Sequence, residues 1–437
     1  MAPAISEHYQ NREPSAIRKA QILFNSREDK DKINVINLAI GNISLPMHPI
    51  MIDAMKSLAR RESPFSKGIV KYTPSVGSRD CQNAIIHSIG SELENKNLDR
   101  LKCVVTDGGS QAMELMLLGV CGPSSEKPIL FIDPTYTNYI EFCKRLSIPY
   151  VISTRKIQSD GNFSKIDTSE ISEIIDRCNP SGIVLIPGDN PTGQLISQSE
   201  IFEIASICIE KDIWLISDEA YRSLYYNKES GLASIWALNE KDLPGISGRR
   251  ISIETASKIW NACGLRVGSL VTDNDVFHEK VVSEYTANLC SNTIGQYIFS
   301  SILKLSKREI REWFENQRNY YHELMLELRK GLIEKIPNLI VSKPESALYF
   351  VIDFRMIFNK EFDIEKFIEY CATIGKSTIN NNHYTILLAP MTGFYDDNSN
   401  GLTQARIAMV ESKDKIIMTP DILSSLIEDY SKHIRFN

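Results

Sequence analysis

No stretch of this 437-residue sequence comes near the roughly 18 consecutive apolar residues that a membrane-spanning helix needs, which excludes helical spans. C-x-x-C pairs are absent too: nine cysteines lie scattered between Cys81 and Cys371. An odd, unpatterned set of thiols argues against a disulfide framework and fits a cytoplasmic setting. Histidine is scarce, with seven residues, no H-x-x-x-H spacing and no mixed Cys/His cluster, so no metal site is expected. Positive charge is not in excess either. A formal net charge of −6 excludes a nucleic-acid or membrane-surface partner held by bulk charge, although it leaves room for a local basic pocket around a small anion. The opening MAPAISEHYQNREP has no apolar core and carries acidic Glu7 early, so it reads as neither a secretory signal nor a transit peptide. Repeats and low-complexity tracts are missing.

What is present is an ordinary folded composition, 43% apolar and 24% charged, in a chain long enough for two or three domains. After a polar start, Ile33–Ile40 reads as a short strand. Further strand-length apolar runs stand at Leu101–Thr106, Pro128–Ile132, Gly182–Ile186, Ile213–Ser217, Arg250–Glu254 and Ser269–Thr272. Helical patterns at Gln111–Val120, Asn138–Leu146 and Ser197–Glu210 alternate with them. Such alternation predicts an α/β domain with a mostly parallel sheet covered by helices. The charged stretch Ile302–Glu334 predicts one long helix or two, leading to further strands at Leu348–Asp353, Thr385–Ala389 and Ala405–Val410.

Residues suited to chemistry gather at predicted strand ends. Thr106-Asp107-Gly108-Gly109-Ser110-Gln111 joins a strand to a helix, where small residues expose backbone N–H groups to an anion. Asp133-Pro134-Thr135-Tyr136 offers an aromatic face for a flat heterocycle. In Pro187-Gly188-Asp189-Asn190-Pro191-Thr192-Gly193, Asn190 is placed to donate to a phenolic oxygen. Asp218-Glu219-Ala220-Tyr221 brings an acid out of an apolar strand, where a protonated ring nitrogen would compensate it, and Tyr221 follows within reach of the same ligand. In Thr255-Ala256-Ser257-Lys258 and Gly264-Leu265-Arg266-Val267-Gly268, a Schiff-base amine is followed by an arginine fork for phosphate. Each fragment has an ordinary alternative: a solvated lysine, a plain turn, a helix-capping aspartate, a core tyrosine. Five such fragments in one order are hard to ascribe to coincidence.

With those residues in view, the chain resembles the class I/II aminotransferases, the aspartate-aminotransferase-like fold type I of pyridoxal-phosphate enzymes. The family's N-P-T-G, D-E-x-Y and S-K-x₇-R-x-G segments stand here as Asn190–Gly193, Asp218–Tyr221 and Ser257–Gly268. The resemblance runs from about Ile17 to the C-terminus. It implies a large domain with a mostly parallel seven-stranded sheet, at 50–316, and a smaller α+β domain, at 317–437, that closes over the substrate, joined by an N-terminal arm at 1–49. It implies pyridoxal 5'-phosphate held by Lys258, with Asp218 on the ring nitrogen, Asn190 and Tyr221 on the phenolic oxygen and Tyr136 stacked on the ring. Gly109, Ser110, Gln111, Thr255, Ser257 and Arg266 would hold its phosphate, with Tyr72 reaching across a homodimer interface to share the active sites. Arg406 would grip the substrate α-carboxylate beside Gly41 and Asn190. Catalysis would rest on Lys258, Asp218 and Tyr221, moving an amino group between an α-amino acid and a 2-oxo acid with ping-pong kinetics.

The chain departs from the family at Pro187-Gly188-Asp189, where an Asn-Pro pair is frequent, and at Asn42-Ile43-Ser44, where many relatives carry Gly-Glu-Pro. Some bacterial aspartate enzymes have Lys directly after the double glycine; here Ser110 stands there, so an acidic side chain loses one means of recognition. An aspartate- or aromatic-type substrate is one expectation, and Arg18, Lys67 and Asn292 are selectivity candidates. A β-lyase, decarboxylase or synthase reaction on the same scaffold is the nearest alternative. A non-catalytic pyridoxal-phosphate-binding regulatory module is the alternative of another class, disfavoured by the acidic balance and the intact Lys258 and Arg406.

Overall fold

The computed structural model describes residues 3–12, 14–93, 98–227, 231–358 and 362–436. Its strands in chain order are β1 (Ile33–Asn37), β2 (Lys102–Asp107), β3 (Ile129–Asp133), β4 (Tyr150–Thr154), β5 (Gly182–Leu185), β6 (Trp214–Asp218), β7 (Arg250–Thr255) and β8 (Val267–Thr272). They are followed by β9 (Ile340–Val341), β10 (Tyr349–Asp353), β11 (Ser377–Ile379), β12 (Asn382–Leu387), β13 (Ala389–Pro390) and β14 (Gln404–Ala408). Two units emerge: a larger one of residues 42–326 and 342–350, and a smaller one of residues 1–41, 327–341 and 351–437. The sequence expectation drew the lines at 49/50 and 316/317 and had no return of residues 342–350 to the larger unit.

The larger unit is built on a seven-stranded sheet in the order β2-β8-β7-β6-β5-β3-β4. The β3–β4, β3–β5, β5–β6 and β6–β7 pairs are parallel, while β8 runs antiparallel to both β2 and β7. The apolar runs explain the placement. Central strands of a parallel sheet are covered on both faces, so they read as unbroken Ile, Val and Leu stretches rather than alternating ones. Val104, Phe131, Val184, Ile216, Ile253 and Leu270 come together in one core with Ala112, Leu115 and Met116 of the helix Gly109–Val120. Strand β4 was not expected. It lies at the sheet edge and most of its residues are only half-buried, so its pattern is weaker than that of its neighbours. The stretch around residue 320 is one helix, Lys307–Lys335.

The smaller unit contains two sheets of its own. One has the order β1-β12-β11, with β1 parallel to β12; the other has the order β13-β14-β10-β9. Strands β9 and β11 were not expected; two and three residues are too few to show a period. Among the described residues, no helix is long and apolar enough to cross a membrane.

One turn fixes much of the larger unit. At Gly193 the backbone is left-handed, with φ +69°, and a Cβ there would overlap the carbonyl oxygen of Tyr349. The N–H groups of Glu345 and Ser346 donate to the Gly193 carbonyl at 2.9 and 2.8 Å. Gly193→Ala is therefore expected to lose roughly 1–3 kcal/mol from backbone strain alone, and more from the overlap. Gly264→Ala, where an added Cβ meets nothing within 4 Å, is expected to stay within about 0.5 kcal/mol of the parent. Denaturant melts of the two variants check the contrast.

Candidate active site

Strand β6 carries Asp218 into the interior, where the residue is only 4% exposed. Its Oδ2 accepts the Tyr139 hydroxyl at 3.0 Å and its Oδ1 accepts the Ala220 N–H at 3.1 Å. Burial raises its pKa to about 6, against the pull of those two donors and of the Lys258 charge. The Ala220 bond closes a turn, and residues 219–223 do not form a helix, so Asp218 is not a helix cap. Tyr139, three residues past Tyr136 on the helix Thr137–Leu146, had not been singled out. A polar tip at that helical spacing is the signal that was available.

Lys258 sits just beyond β7, half-buried rather than enclosed. The turn that carries it is closed by Asn261 N–H to the Lys258 carbonyl at 3.2 Å and by Ala262 N–H to the Ala256 carbonyl at 3.1 Å. Ahead of it, the Thr255 hydroxyl donates to Ser257 Oγ at 2.8 Å, and Ser257 N–H donates back to Thr255 Oγ1 at 3.1 Å. Beside them begins the helix Gly109–Val120, entered through Gly108 at φ +78°. A Cβ at Gly108 would overlap the Arg266 guanidinium. That guanidinium is held by the carbonyls of Cys263 and Asp107, at 3.3 and 3.2 Å. A helix start, two hydroxyls and an arginine thus meet as an anion cradle. Gln111 engages its side-chain oxygen with Asp107 N–H and the Tyr285 hydroxyl, at 2.8 and 2.9 Å.

Asn190 is buried in the turn after β5. Next to it, Asp189 takes the place of the more frequent family residues and locks the turn. Its carboxylate accepts from Arg155 and from the Thr192 hydroxyl, and Gly193 N–H donates to its carbonyl at 2.9 Å. Burial nevertheless pushes the Asp189 pKa up. Tyr221 is buried with its hydroxyl 2.8 Å from that of Tyr349, the rings 5.6 Å apart and edge-on. Tyr349 was read only as part of a strand. Tyr136 is half-buried and edge-on to Tyr139 at 6.4 Å.

Tyr72 is 76% exposed, although both neighbours are pinned: the Lys71 carbonyl accepts from Thr293 at 3.3 Å and Thr73 Oγ1 accepts from Gln296 at 3.2 Å. Asn292, one of the selectivity candidates, caps the helix Thr293–Ser300 and donates to the Leu265 carbonyl at 3.0 Å, which gives it a structural role. Arg406 and Gly41 belong to the smaller unit. There Arg406, on β14, is buried, donates to the Ala39 carbonyl at 2.6 Å and lies over the Phe394 ring at 4.9 Å.

Known proteins share this arrangement of strands and helices. A kynurenine aminotransferase from Pyrococcus horikoshii, solved in complex with PMP, superposes with a TM-score of 0.78 over 98% of this chain and 97% of its own, at 18% identity. In sequence, the aspartate aminotransferase of Thermotoga maritima is 25% identical over 354 residues, 80% of this chain and 82% of that protein. The aspartate aminotransferase of Sulfurisphaera tokodaii is 27% identical over 324 residues, 72% of this chain and 73% of that protein. The family model described as "Aminotransferase class I and II" matches residues 33–376, and the chain belongs to that family.

Proposed function

We propose that this protein is a pyridoxal-phosphate-dependent aminotransferase that moves an amino group between an α-amino acid and a 2-oxo acid, with Lys258 as the amine that holds the cofactor. The observation that carries the reading is the pairing of a buried, compensated carboxylate with a lysine at neighbouring strand ends. Asp218 and Lys258 lie close enough for the lysine charge to lower the Asp218 pKa against its burial. The cradle at Gly108 and Arg266 fits the phosphate of such a group, because a helix start and a guanidinium lie side by side, so close that a Cβ at Gly108 would overlap the arginine.

When bound, pyridoxal phosphate supplies an aldehyde that condenses with amines and a ring that draws electrons from the substrate Cα. The chain supplies the rest. Asp218 would keep a proton on the ring nitrogen. Asn190 and Tyr221 would donate to the phenolic oxygen, and Tyr136 would cover one ring face. Gly109, Ser110, Gln111, Thr255, Ser257 and Arg266 would hold the phosphate. Lys258, once its amine is free, would take the proton from the substrate Cα. Arg406, with Gly41 nearby in sequence to the Ala39 carbonyl that it holds, is proposed for the α-carboxylate. We place the enzyme in the cytoplasm as a homodimer that shares its active sites, with the exposed Tyr72 offered to the partner's phosphate.

Purified protein given pyridoxal phosphate is expected to acquire visible absorbance that an amino acid bleaches in a single turnover, and a panel of amino acids then names the donor. Lys258→Ala should abolish the absorbance change and cut transamination by at least about 10²-fold. A fully active Lys258→Ala protein ends the reading.

The raised Asp218 pKa also bears on stability. The folded state binds the proton more tightly than the unfolded chain, so this group's contribution to stability falls as pH rises from about 4 to about 6. Asp218→Asn should flatten that fall by up to about 3 kcal/mol in melts of the protein without added cofactor. An unchanged slope would remove Asp218 from this account.

Sedimentation is expected to give a dimer. Tyr72→Phe should weaken pyridoxal-phosphate retention by about tenfold, the worth of one hydrogen bond to a charged group. An active monomer contradicts the shared-site assignment.

A further inference from the structure

Behind the cofactor groups, on the opposite face of the sheet, lies a buried polar cluster that none of the proposed roles uses. Successive residues of a strand point to opposite faces. On β7, Ile253 and Thr255 border Gly109, while Ser252 and Glu254 face the other way. On β6, Asp218 faces the Tyr139 side, while Ser217 points with Glu219 to the far side. In the turn that follows, Arg222 has no exposed side-chain surface. Its Nη1 donates to Oε1 and Oε2 of Glu254, both at 2.8 Å, and reaches Glu219 Oε2 at 3.5 Å. Glu219 also accepts the Ser217 and Ser234 hydroxyls at 3.0 and 2.9 Å and the Ile235 N–H at 3.1 Å. Glu254 accepts the Ser252 hydroxyl at 2.9 Å.

We propose that Arg222, with Glu254 and Glu219, is a positioning unit for the cofactor pocket: one guanidinium ties the turn bearing Asp218 and Tyr221 to the strand that delivers Lys258. The inference rests on the cofactor reading above. Three features support it. Arg222 directly follows Tyr221, and Glu254 lies four residues before Lys258, so the pair spans the two segments that must be held in register. The main chain makes the same link, with Glu219 N–H donating to the Ile253 carbonyl at 3.0 Å, and Arg222 N–H closes the turn on the Glu219 carbonyl at 3.1 Å. Stability alone is a poor reason to keep such a cluster, since packed apolar residues of like volume do as well or better, whereas one guanidinium nitrogen shared by two carboxylates fixes their spacing.

The charge count gives the unit a readout. Two carboxylates share one guanidinium, and burial raises the pKa of both Glu219 and Glu254 in spite of Arg222. Asp218 and Lys258 lie across the strand, and Glu92 lies beyond Arg222, itself bound to Arg318 at 3.0 Å. A change of charge in the cluster is therefore felt at the cofactor face.

The test uses the full-length protein loaded with pyridoxal phosphate, as wild type, Arg222→Lys, Glu254→Gln and the double variant Arg222→Met/Glu254→Met. The double variant leaves no unpaired member of the Arg222–Glu254 pair and covers the case in which a single variant fails to fold. The expected result for Glu254→Gln, which removes charge of one sign, is a shift of about half a pH unit or more in the midpoint of the visible absorbance titration; the double variant, which removes one group of each sign, is read through kcat. A fall in kcat of about tenfold or more with KM within twofold is expected in both, because the cluster does not touch substrate. Arg222→Lys should keep the midpoint, through its charge, and lose kcat, because the shorter-reaching ammonium does not hold both carboxylates at the spacing that Nη1 sets. Variants that melt earlier yet keep midpoint and kcat within twofold of wild type overturn the positioning role while leaving the cofactor reading intact. A wild type that binds no chromophore overturns both.

Discussion

A carboxylate brought into a protein interior at the end of a central strand has to be compensated, and much of the larger unit is arranged around that requirement at Asp218. The residue is there because β6 is apolar and flanked by β5 and β7. It stays charged-capable because Tyr139 and the Ala220 N–H reach it and because Lys258 is near. Burial still dominates, and a compensating cation on a ligand would remove the remaining imbalance. The fold thus creates a demand that the proposed protonated heterocycle would satisfy, while the helix start at Gly109 with Arg266 would answer the anion at the other end of such a ligand.

The sheet separates two kinds of work. One face of β6 and β7 presents Asp218 and Thr255 next to the helix Gly109–Val120. The other presents serines and glutamates gathered on Arg222. Neither face is wholly apolar. In a parallel sheet with covered faces, polar residues at alternating positions need partners on their own side, and here each side has a distinct set.

Most of this was legible in the sequence, and the parts that were not share a cause. Strand ends with their motifs are local signals, so Asn190, Asp218, Tyr221, Lys258 and Arg266 could be read from runs of a few residues. Six of the seven strands of the larger sheet announced themselves by short, largely apolar runs. Strand β4 did not, because four of its five residues are only half-buried and the apolar signature is lost. Tyr139, Tyr349 and the Arg222–Glu254 pair were missed because their meaning lies in partners 79, 128 and 32 residues away, which no window along the chain contains. Gln111 and Asn292 also carry local structure, since their side chains close a helix start and a turn through partners that the sequence motifs did not show.

The return of residues 342–350 to the larger unit has a consequence for how the chain comes into being. The turn at Gly193 is completed by the N–H groups of Glu345 and Ser346, and Ala347 N–H caps the Leu224 carbonyl at 2.8 Å. A ribosome must therefore lengthen the chain by some 150 residues, passing through a stretch assigned to the other unit, before that turn finds its last donors. Closing so wide a loop costs little more entropy than closing a short one, but it delays the reward. Until residues 345–347 emerge, the turns at Gly193 and Leu224 lack these donors, and the pocket beside them waits on a segment made long after its own.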